Sequence, residues 1–522
     1  MKNTIVTLLF AILLLILANN KGYAMTFGVE YANPEWTNFV DYPKCAKAFA
    51  RIDVHALKIH DILWRDIEPN PPRNGVHSYH WDGLDNLIRI FQSEGFTDFE
   101  VVLQSTSSWG MRPPTPEEKK LMKRNLRKEN KPSLPPSNKH NQDYYDFIYN
   151  VVERYDGDGV KDMQGLRYPV SGWEIETAAQ GSFSWLGTAN EYIQMLKIAY
   201  SAAKAANPRS TIILSGIELG DLPSPTVNIR ERIEQIQVTG FLKDIKRILT
   251  KKIWTKWSNF NIDMLKHKDF FDVVEFHSLE NYLPMYTTVG WIRKLMSGYG
   301  YEKPIQAGDA ACVPTLDMGP VTPHPHPFFP LNTEALIKIL ANRDHPRHNV
   351  IYSWYRAEQS RLVVKKSVAG MELGLKKINF GMFTDNPNAW SDEMKHEAHK
   401  NTLHYNWAIG GFMDKDYVPY PAYFTYKLTV EKLKDARFVK RHPLGSGVYG
   451  FEFSSGGIPI YILWSEKNVT KDFTVGSSFK EIRITNIVTQ FNQKTPYSET
   501  KKVKSGNVTL NLTEDPVFLE PS

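Results

Sequence analysis

The sequence predicts a (β/α)8 barrel followed by a small all-β sandwich domain, and three observations lead to this fold class. Eight short β-rich runs alternate with helical patterns from residue 26 to about 435. Runs that are apolar on both faces and are each followed by a helix indicate a parallel sheet, and eight such units close into a barrel. After Ala436 only strand-like runs separated by Gly and Asn turns remain, which predicts the second domain.

The first 24 residues have the pattern of a secretory signal peptide. Lys2 gives a positive start, residues 4–18 are apolar, and Gly22 and Ala24 place small residues at a cleavage site. This apolar stretch is short for a membrane span, and no later segment could form one. We therefore expect a secreted, periplasmic or cell-surface protein, with an uncleaved N-terminal anchor as the alternative.

The barrel is expected over residues 25–435. Its predicted strands are Thr26–Tyr31, His55–His60, Asp98–Gln104, Val170–Glu176, Thr211–Ile217, Phe271–His277, Pro304–Gly308 and Val350–Trp354. Its predicted helices are Tyr42–Ile52, Trp81–Ser93, Gln142–Tyr155, Thr188–Ala206, Trp291–Tyr299 and Leu331–Asn342. The longest βα loops, residues 105–140, 218–262 and 356–418, belong to the end of a barrel that carries active sites.

The sandwich domain is expected over residues 436–522. Its predicted strands are Val448–Phe453, Pro459–Trp464, Glu481–Asn486 and Val508–Leu512.

Composition and charge exclude several classes of protein. With 42% hydrophobic and 23% charged residues, the chain is neither disordered nor collagenous. Its two cysteines, Cys45 and Cys312, exclude a disulfide scaffold and a four-cysteine zinc site, although they could pair after export. The net charge of +6 is concentrated in residues 117–139 and 243–256, each +5, which favours an anionic contact or a solvated face over nucleic-acid binding.

The most specific motif is the fourth predicted strand with its following helix, from Gly172 to Pro208. There the chain resembles clan-A glycoside hydrolases, nearest to the family 39 type of β-xylosidases and iduronidases, and the resemblance extends over nearly the whole mature chain. The matching residues are Trp173, Glu174, Ile175, Trp185, Gly187, Thr188, Tyr192, Ala199, Tyr200, Lys204, Asn207 and Pro208. The resemblance implies a glycosidase barrel that binds an oligo- or polysaccharide and uses no cofactor.

The resemblance also implies a catalytic dyad that is degenerate in this chain. The family's Asn-Glu pair, which binds the sugar 2-hydroxyl and supplies the acid/base, falls on Thr177 and Ala178, and alanine transfers no proton. The nucleophile position, after Lys-Pro-Ile of the seventh strand, holds Asp309 in place of Glu. An Arg that the family often carries in the second strand is replaced in a segment that contains Lys58 and His60.

Other carboxylates are candidates for the missing acid. Glu176 shares the strand parity of Ala178, so we expect it to point into the barrel about 7 Å below that position. Glu280 follows the sixth strand on the functional face, and Glu30 and Glu218 end the first and fifth strands. The catalytic candidates are therefore Asp309, Glu176 and Glu280, although Glu176 could be a buried barrel residue and Glu280 a loop residue that binds sugar or water.

Aromatic and polar residues at strand ends are expected to bind the sugar, since aromatic faces stack on pyranose rings. The substrate-binding candidates are Trp109, Thr177, Trp185, His277, Tyr282 and Trp354. No metal site is predicted, because His324 and His326 lack a carboxylate or cysteine partner. Three hypotheses remain open at this point: a glycosidase with a relocated acid, a sugar-binding protein without hydrolysis, and a scaffold that kept only the fold.

Overall fold

The computed structural model describes residues 24–34, 40–124, 132–218, 251–279, 281–315, 327–328, 331, 333–400 and 402–522. Eight parallel strands close into a barrel in chain order, and the eighth pairs with the first. The strands are β1 (Thr26–Ala32), β2 (Ala56–Leu63), β3 (Asp98–Gln104), β4 (Val170–Ile175), β5 (Thr211–Ile217), β6 (Val273–His277), β7 (Ile305–Ala311) and β8 (Lys377–Gly381). The predicted fold class is confirmed.

Helices alternate with these strands. They are α1 (Tyr42–Ala50), α2 (Trp64–Ile67), α3 (Asp82–Ser93), α4 (Pro116–Arg124), α5 (Asn141–Arg154), α6 (Ala189–Ala206), α7 (Lys251–Lys266), α8 (Leu283–Gly298), α9 (Thr333–Leu340), α10 (His348–Glu372), α11 (Asp392–Lys400), α12 (Thr402–Ala408) and α13 (Pro421–Leu433). Each helix predicted from the sequence overlaps one of these. None of the described helices combines the length and the apolar character that crossing a membrane requires.

The prediction of the eighth strand is wrong. Val350–Trp354 lies inside helix α10, and the strand that closes the barrel is Lys377–Gly381. A short apolar run rich in β-branched and aromatic residues does not distinguish a strand from a buried helix. Helix α10 lacks an amphipathic pattern because all of residues 355–371 are buried. The strand that closes the barrel reads KINFG. Its polar residues Lys377 and Asn379 face inward, so the sequence lacks the apolar run that indicates a buried strand.

The C-terminal region is all β, as predicted. A six-stranded antiparallel sheet has the order β14-β13-β16-β11-β10-β9, and β12 pairs with β15 in a second sheet. The strands are β9 (Arg437–Arg441), β10 (Val448–Ser455), β11 (Ile458–Ser465), β12 (Val469–Thr474), β13 (Glu481–Asn486), β14 (Ser498–Lys502), β15 (Asn507–Leu512) and β16 (Val517–Pro521). Sequence patterning missed β9, β12, β14 and β16; the first and third of these are mostly exposed and have no apolar face.

Two further predictions meet the structure here. Cys45 and Cys312 are both buried and unpaired, so the alternative of a disulfide does not hold in this structure. Residues 1–23 of the leader-like segment lie outside the described residues, and signal cleavage stays a prediction.

Candidate functional site

The barrel interior is filled by a connected network of charged and amide side chains. The Lys58 ammonium lies 2.7 Å from an oxygen of Glu174 and also donates a hydrogen bond to Glu275. Gln306 donates to Glu275 at 2.9 Å and to Glu100 at 3.1 Å, which links the network across the barrel. All of these side chains are buried, so each charge depends on its partner inside the barrel.

Burial and pairing set the protonation of this network. Burial alone would lower the pKa of Lys58, but the charges of Glu174 and Glu275 outweigh it and raise that pKa. Burial and then the charge of Glu275 raise the pKa of Glu174. The Lys58 ammonium therefore stays charged and neutralises the carboxylates beneath the barrel mouth. The ion-pair partners of Lys58 are Glu174 and Glu275 in the barrel interior, and Asp309 is not among them.

Glycines in the strands make room for these side chains. A Cβ on Gly308 would lie 1.9 Å from the carboxyl group of Glu275, and one on Gly216 would lie 2.0 Å from the His277 ring. A Cβ on Gly28 would similarly meet the Asn379 amide at 2.2 Å. The large polar side chains of β6 and β8 fit in the barrel because the facing positions carry none.

Asp309 lies at the mouth of the barrel and is paired with another carboxyl group. Its Oδ2 accepts a hydrogen bond from the Tyr31 hydroxyl at 2.7 Å, and Nδ1 of His277 lies 3.9 Å away. The Asp309 carboxyl group also shares a hydrogen bond with the carboxyl group of Glu30 in β1. Glu30 is fully buried, and its Oε2 lies 3.1 Å from Nε2 of His60. These contacts join the ends of β1, β2, β6 and β7.

The pKa values of the two carboxyl groups of this pair are shifted in opposite directions. Burial and then the charge of Asp309 raise the pKa of Glu30 well above its usual value. Burial would also raise the pKa of Asp309, but His277, the hydrogen bond from Glu30, His60 and the Tyr31 hydroxyl together lower it. These opposite directions favour Glu30 as the carboxyl group that holds the proton of the pair and donates it to Asp309.

This contact leaves no space for a glycosidic bond between the two groups. The carboxyl groups of Glu30 and Asp309 are in direct hydrogen-bonding contact. Retaining glycosidases keep their carboxyl groups about 5–5.5 Å apart and inverting ones about 6.5–9.5 Å apart. The Glu30–Asp309 pair matches neither geometry.

Glu176 lies just beyond the strand whose alternation of side chains was used to predict its direction. Strand β4 ends at Ile175, and Glu176 has a φ of +61°, so the alternation of side chains stops there. Its Oε1 accepts hydrogen bonds from the backbone N–H and the hydroxyl of Ser105, both at 2.7 Å. Burial raises the pKa of Glu176 to about 7, although the Ser105 bonds oppose this shift.

Position 178, where the resemblance places the acid/base, is buried as well as apolar. Ala178 is 2% exposed and has a φ of +43°, a left-handed conformation that side chains with a Cβ rarely adopt. Thr177 beside it is also buried. The chain thus turns sharply at the end of β4, and a side chain at position 178 is enclosed by protein.

His277 belongs to the site, and it also belongs to a group of possible metal ligands. Ligand atoms of Glu174, Glu275 and His277 all lie within 4.8 Å of one another. The Lys58 ammonium already contacts both carboxylates of that group, so the protein supplies the cation itself. Burial lowers the pKa of His277, and the charges of Asp309 and Glu275 oppose this shift.

Two tryptophan candidates pack within the protein. The indole N–H of Trp109 donates to the Glu68 carbonyl at 3.1 Å, and its ring lies 4.8 Å from that of Trp64. Trp185 is 2% exposed and meets the Tyr192 ring edge-on at 5.9 Å. In this conformation the Trp185 face is covered by protein, whereas part of Trp109 remains accessible.

The other candidates lie elsewhere. Tyr282 packs on Trp464 of β11, ring centroids 5.8 Å apart, so it joins the barrel to the sandwich domain instead of lining the mouth. Trp354 lies on α10 against Phe328, at 5.7 Å, because the segment predicted as the eighth strand is helical. Glu280 lies outside the described residues, and its role stays a prediction.

The structure adds an aromatic pair that the sequence did not single out. The Tyr31 ring stacks on the His60 imidazole with centroids 4.9 Å apart, and the Trp407 ring lies 6.2 Å from the Tyr31 ring. Both rings are partly exposed, and the Tyr31 hydroxyl donates to Asp309. Tyr31 could have been found from the sequence, because it ends the first predicted strand. Trp407 could not, because it lies on α12, about a hundred residues after the predicted site residue of the seventh strand.

Comparison with known proteins identifies the fold and nothing finer. No sequence-family profile matches the chain, and no curated protein is detectably similar. Solved structures do match. A family 39 glycoside hydrolase from Bacteroides cellulosilyticus WH2 has 13% identity and a TM-score of 0.57, covering 96% of this chain and 82% of its own.

Two further structures align over the whole length. A monomeric β-xylosidase from Caulobacter crescentus CB15 has 12% identity and a TM-score of 0.54, with 96% of each chain covered. A conserved exported protein from Bacteroides fragilis has 10% identity and a TM-score of 0.52, covering 95% of this chain and 98% of its own. The chain therefore shares the fold of these solved structures, a parallel eight-stranded barrel followed by antiparallel β-sheets.

Proposed function

We propose that this protein is an exported saccharide-binding protein that holds an oligosaccharide at the barrel mouth and does not hydrolyse it. The observation that carries the proposal is the hydrogen-bonded pair of Glu30 and Asp309. Asp309, in the nucleophile position, is engaged in a hydrogen bond with the carboxyl group of Glu30. The residue in the acid/base position is Ala178.

Loss of the acid has a calculable consequence. Proton donation by a general acid contributes about 10²–10⁴-fold to such reactions. Glu176, the best alternative acid by sequence, is held by Ser105 outside the strand's alternation, and Glu30 is fully buried. Neither group is available to protonate a sugar oxygen above Asp309.

The mouth keeps features that suit a sugar. Tyr31 and Trp407 offer partly exposed rings, and aromatic faces pack well on the C–H faces of pyranoses. Asp309 and His277 offer a carboxyl group and an imidazole, 3.9 Å apart, beside them. A chain that kept only the scaffold has no need of this grouping, which favours binding over a purely structural role.

Two finer parts of the proposal rest on sequence. Export rests on the leader-like first 24 residues, and one similar structure is that of a conserved exported protein. An anionic polysaccharide is favoured only by the basic segment 117–139 after β3, of which residues 125–131 lie outside the described part.

The test combines binding with hydrolysis. Wild type and Asp309→Asn are incubated with aryl glycosides and natural oligosaccharides, and binding of the same oligosaccharides is measured by calorimetry. We expect binding by wild type without turnover, and about tenfold weaker binding by Trp407→Ala, while Tyr497→Ala, an exposed aromatic of the sandwich domain, serves as the control. Rapid hydrolysis of natural glycosides by wild type that Asp309→Asn abolishes would establish an enzyme and refute the proposal.

A further inference from the structure

A groove runs on the outer face of the barrel between helices α5 and α6, away from Glu30 and Asp309. It has a volume of about 830 Å³, and its walls are the first turn of α5, the first three turns of α6 and the loop after β3. Both helices begin at the carboxyl ends of their strands, so the groove opens on the same end of the barrel as the mouth. Every residue that lines it is described.

The walls of the groove are rich in amide side chains. Asn138, Asn141, Asn190 and Gln194 line it, and their side chains make no hydrogen bond to another described residue. Each amide offers one acceptor and two donor positions. The Ser137 hydroxyl, which is buried in the same wall, also has no partner among the described groups. Such a surface complements vicinal hydroxyl groups, which both donate and accept.

The groove is electrically balanced. Arg112 is held by Glu118, with two contacts of 2.9 Å, and by Glu191 at 2.7 Å. Glu191 also closes the N-terminal capping box of α6 with Thr188. The Arg112 guanidinium lies between two carboxylates, and Lys197 is the remaining cation of the lining. The groove therefore has no cluster of positive charge that would attract an anion.

The floor is apolar. Pro135, Pro136 and Met195 are buried beneath the amides, and Tyr145 is partly exposed among them. Tyr145 packs partly against the hydrophobic core, and its remaining surface lines the groove. Apolar contact below and amides at the sides form the pattern of a pyranose site, and the volume lies in the usual range of ligand sites.

From these observations we propose that the interhelical groove is a binding site for a neutral oligosaccharide, separate from the barrel mouth. The site needs no residue of the mouth and goes beyond the function proposed above. A polysaccharide could contact both sites at once, since both open at the same end of the barrel, and two linked sites raise the avidity for a polymer.

The experiment measures neutral hexaoses of xylose, glucose, mannose and galactose against the full chain by isothermal titration calorimetry. The groove variants are Asn190→Ala/Gln194→Ala and Tyr145→Ala, and the matched control is Gln490→Ala/Asn492→Ala on the sandwich domain. Thermal unfolding of each variant establishes that it is folded. We expect at least one hexaose to bind wild type and the control alike, and to bind the groove variants about tenfold more weakly or with one site fewer.

Two further arms separate the possible outcomes. If only Trp407→Ala weakens binding, the sugar sits in the mouth, the groove proposal is overturned and the proposed function stands. If only the groove variants weaken it, the groove proposal stands and the proposed function fails. Binding of a hexagalacturonate as tight as that of the best neutral hexaose, or no binding of any neutral hexaose, overturns the groove proposal. Protection of Tyr145 from hydroxyl-radical labelling by the bound hexaose supports it directly.

Discussion

Replacing Glu176 by Gln tests how burial controls the chemistry at the end of β4. The carboxyl is fully buried, and its pKa is raised from 4.5 to about 7, chiefly by burial. In the unfolded chain it loses its proton near pH 4.5, while in the native state it keeps it up to about pH 7. The native state therefore binds more protons in this window, and stability falls as the pH rises through it.

The magnitude follows from the shift. A difference of 2.5 pKa units between 7 and 4.5 corresponds to about 3 kcal/mol at about 1.36 kcal/mol per unit. Glutamine resembles the protonated acid, because its Oε1 can still accept both hydrogen bonds from Ser105. The variant should lack the loss of stability, so its advantage over wild type grows by roughly 2–3 kcal/mol between pH 5 and pH 8.

The assay is urea unfolding of both proteins at half-unit pH steps from 5 to 8, followed by circular dichroism. Taking the difference between the two proteins removes groups that titrate equally in both. Glu94→Gln, at an exposed position, is the control and should follow wild type at every pH. If the difference between wild type and Glu176→Gln is the same at pH 5 and pH 8, the buried carboxyl does not hold a proton and our interpretation is wrong.

Three other substitutions test the site. Lys58→Met leaves two buried carboxylates unpaired and should lower the unfolding free energy by about 3–5 kcal/mol in urea titrations; a loss under about 1 kcal/mol would contradict the network. Gly308→Ala places a Cβ on the Glu275 carboxyl and should cost at least about 1–3 kcal/mol in thermal unfolding, whereas Gly290→Ala, in open helical space, should not destabilise. Ala178→Glu should lower the melting temperature and restore no hydrolysis of aryl glycosides, because position 178 is buried with a φ of +43°; new activity there would show that the pocket accepts an acid.

Sequence reasoning succeeded where local pattern and tertiary environment agree. Strands β1 to β7 are apolar runs bounded by turns, and each was predicted within a few residues. It failed for β8, whose Lys377 pairs with Asp98 and Glu100 inside the barrel. A lysine in a strand is ordinarily exposed, and only the opposing carboxylates, far away in sequence, make it an interior residue.

The candidate residues divide in the same way. Asp309 and His277 lie together at the mouth because strand ends of a parallel barrel converge there. Trp185 and Tyr282 also follow strands, yet their rings turn toward α6 and the sandwich domain. Strand order places the Cα atoms, whereas the packing of each ring depends on neighbours from other segments.

The sequence by itself determined the barrel, the all-β domain after it and the absence of a carboxylate at position 178. These follow from local periodicity and from the identity of single residues. The tertiary structure alone decided that Glu30 pairs with Asp309 and that Trp407 joins Tyr31 at the mouth. These contacts join residues separated by hundreds of positions, and their protonation depends on burial, which no linear pattern records.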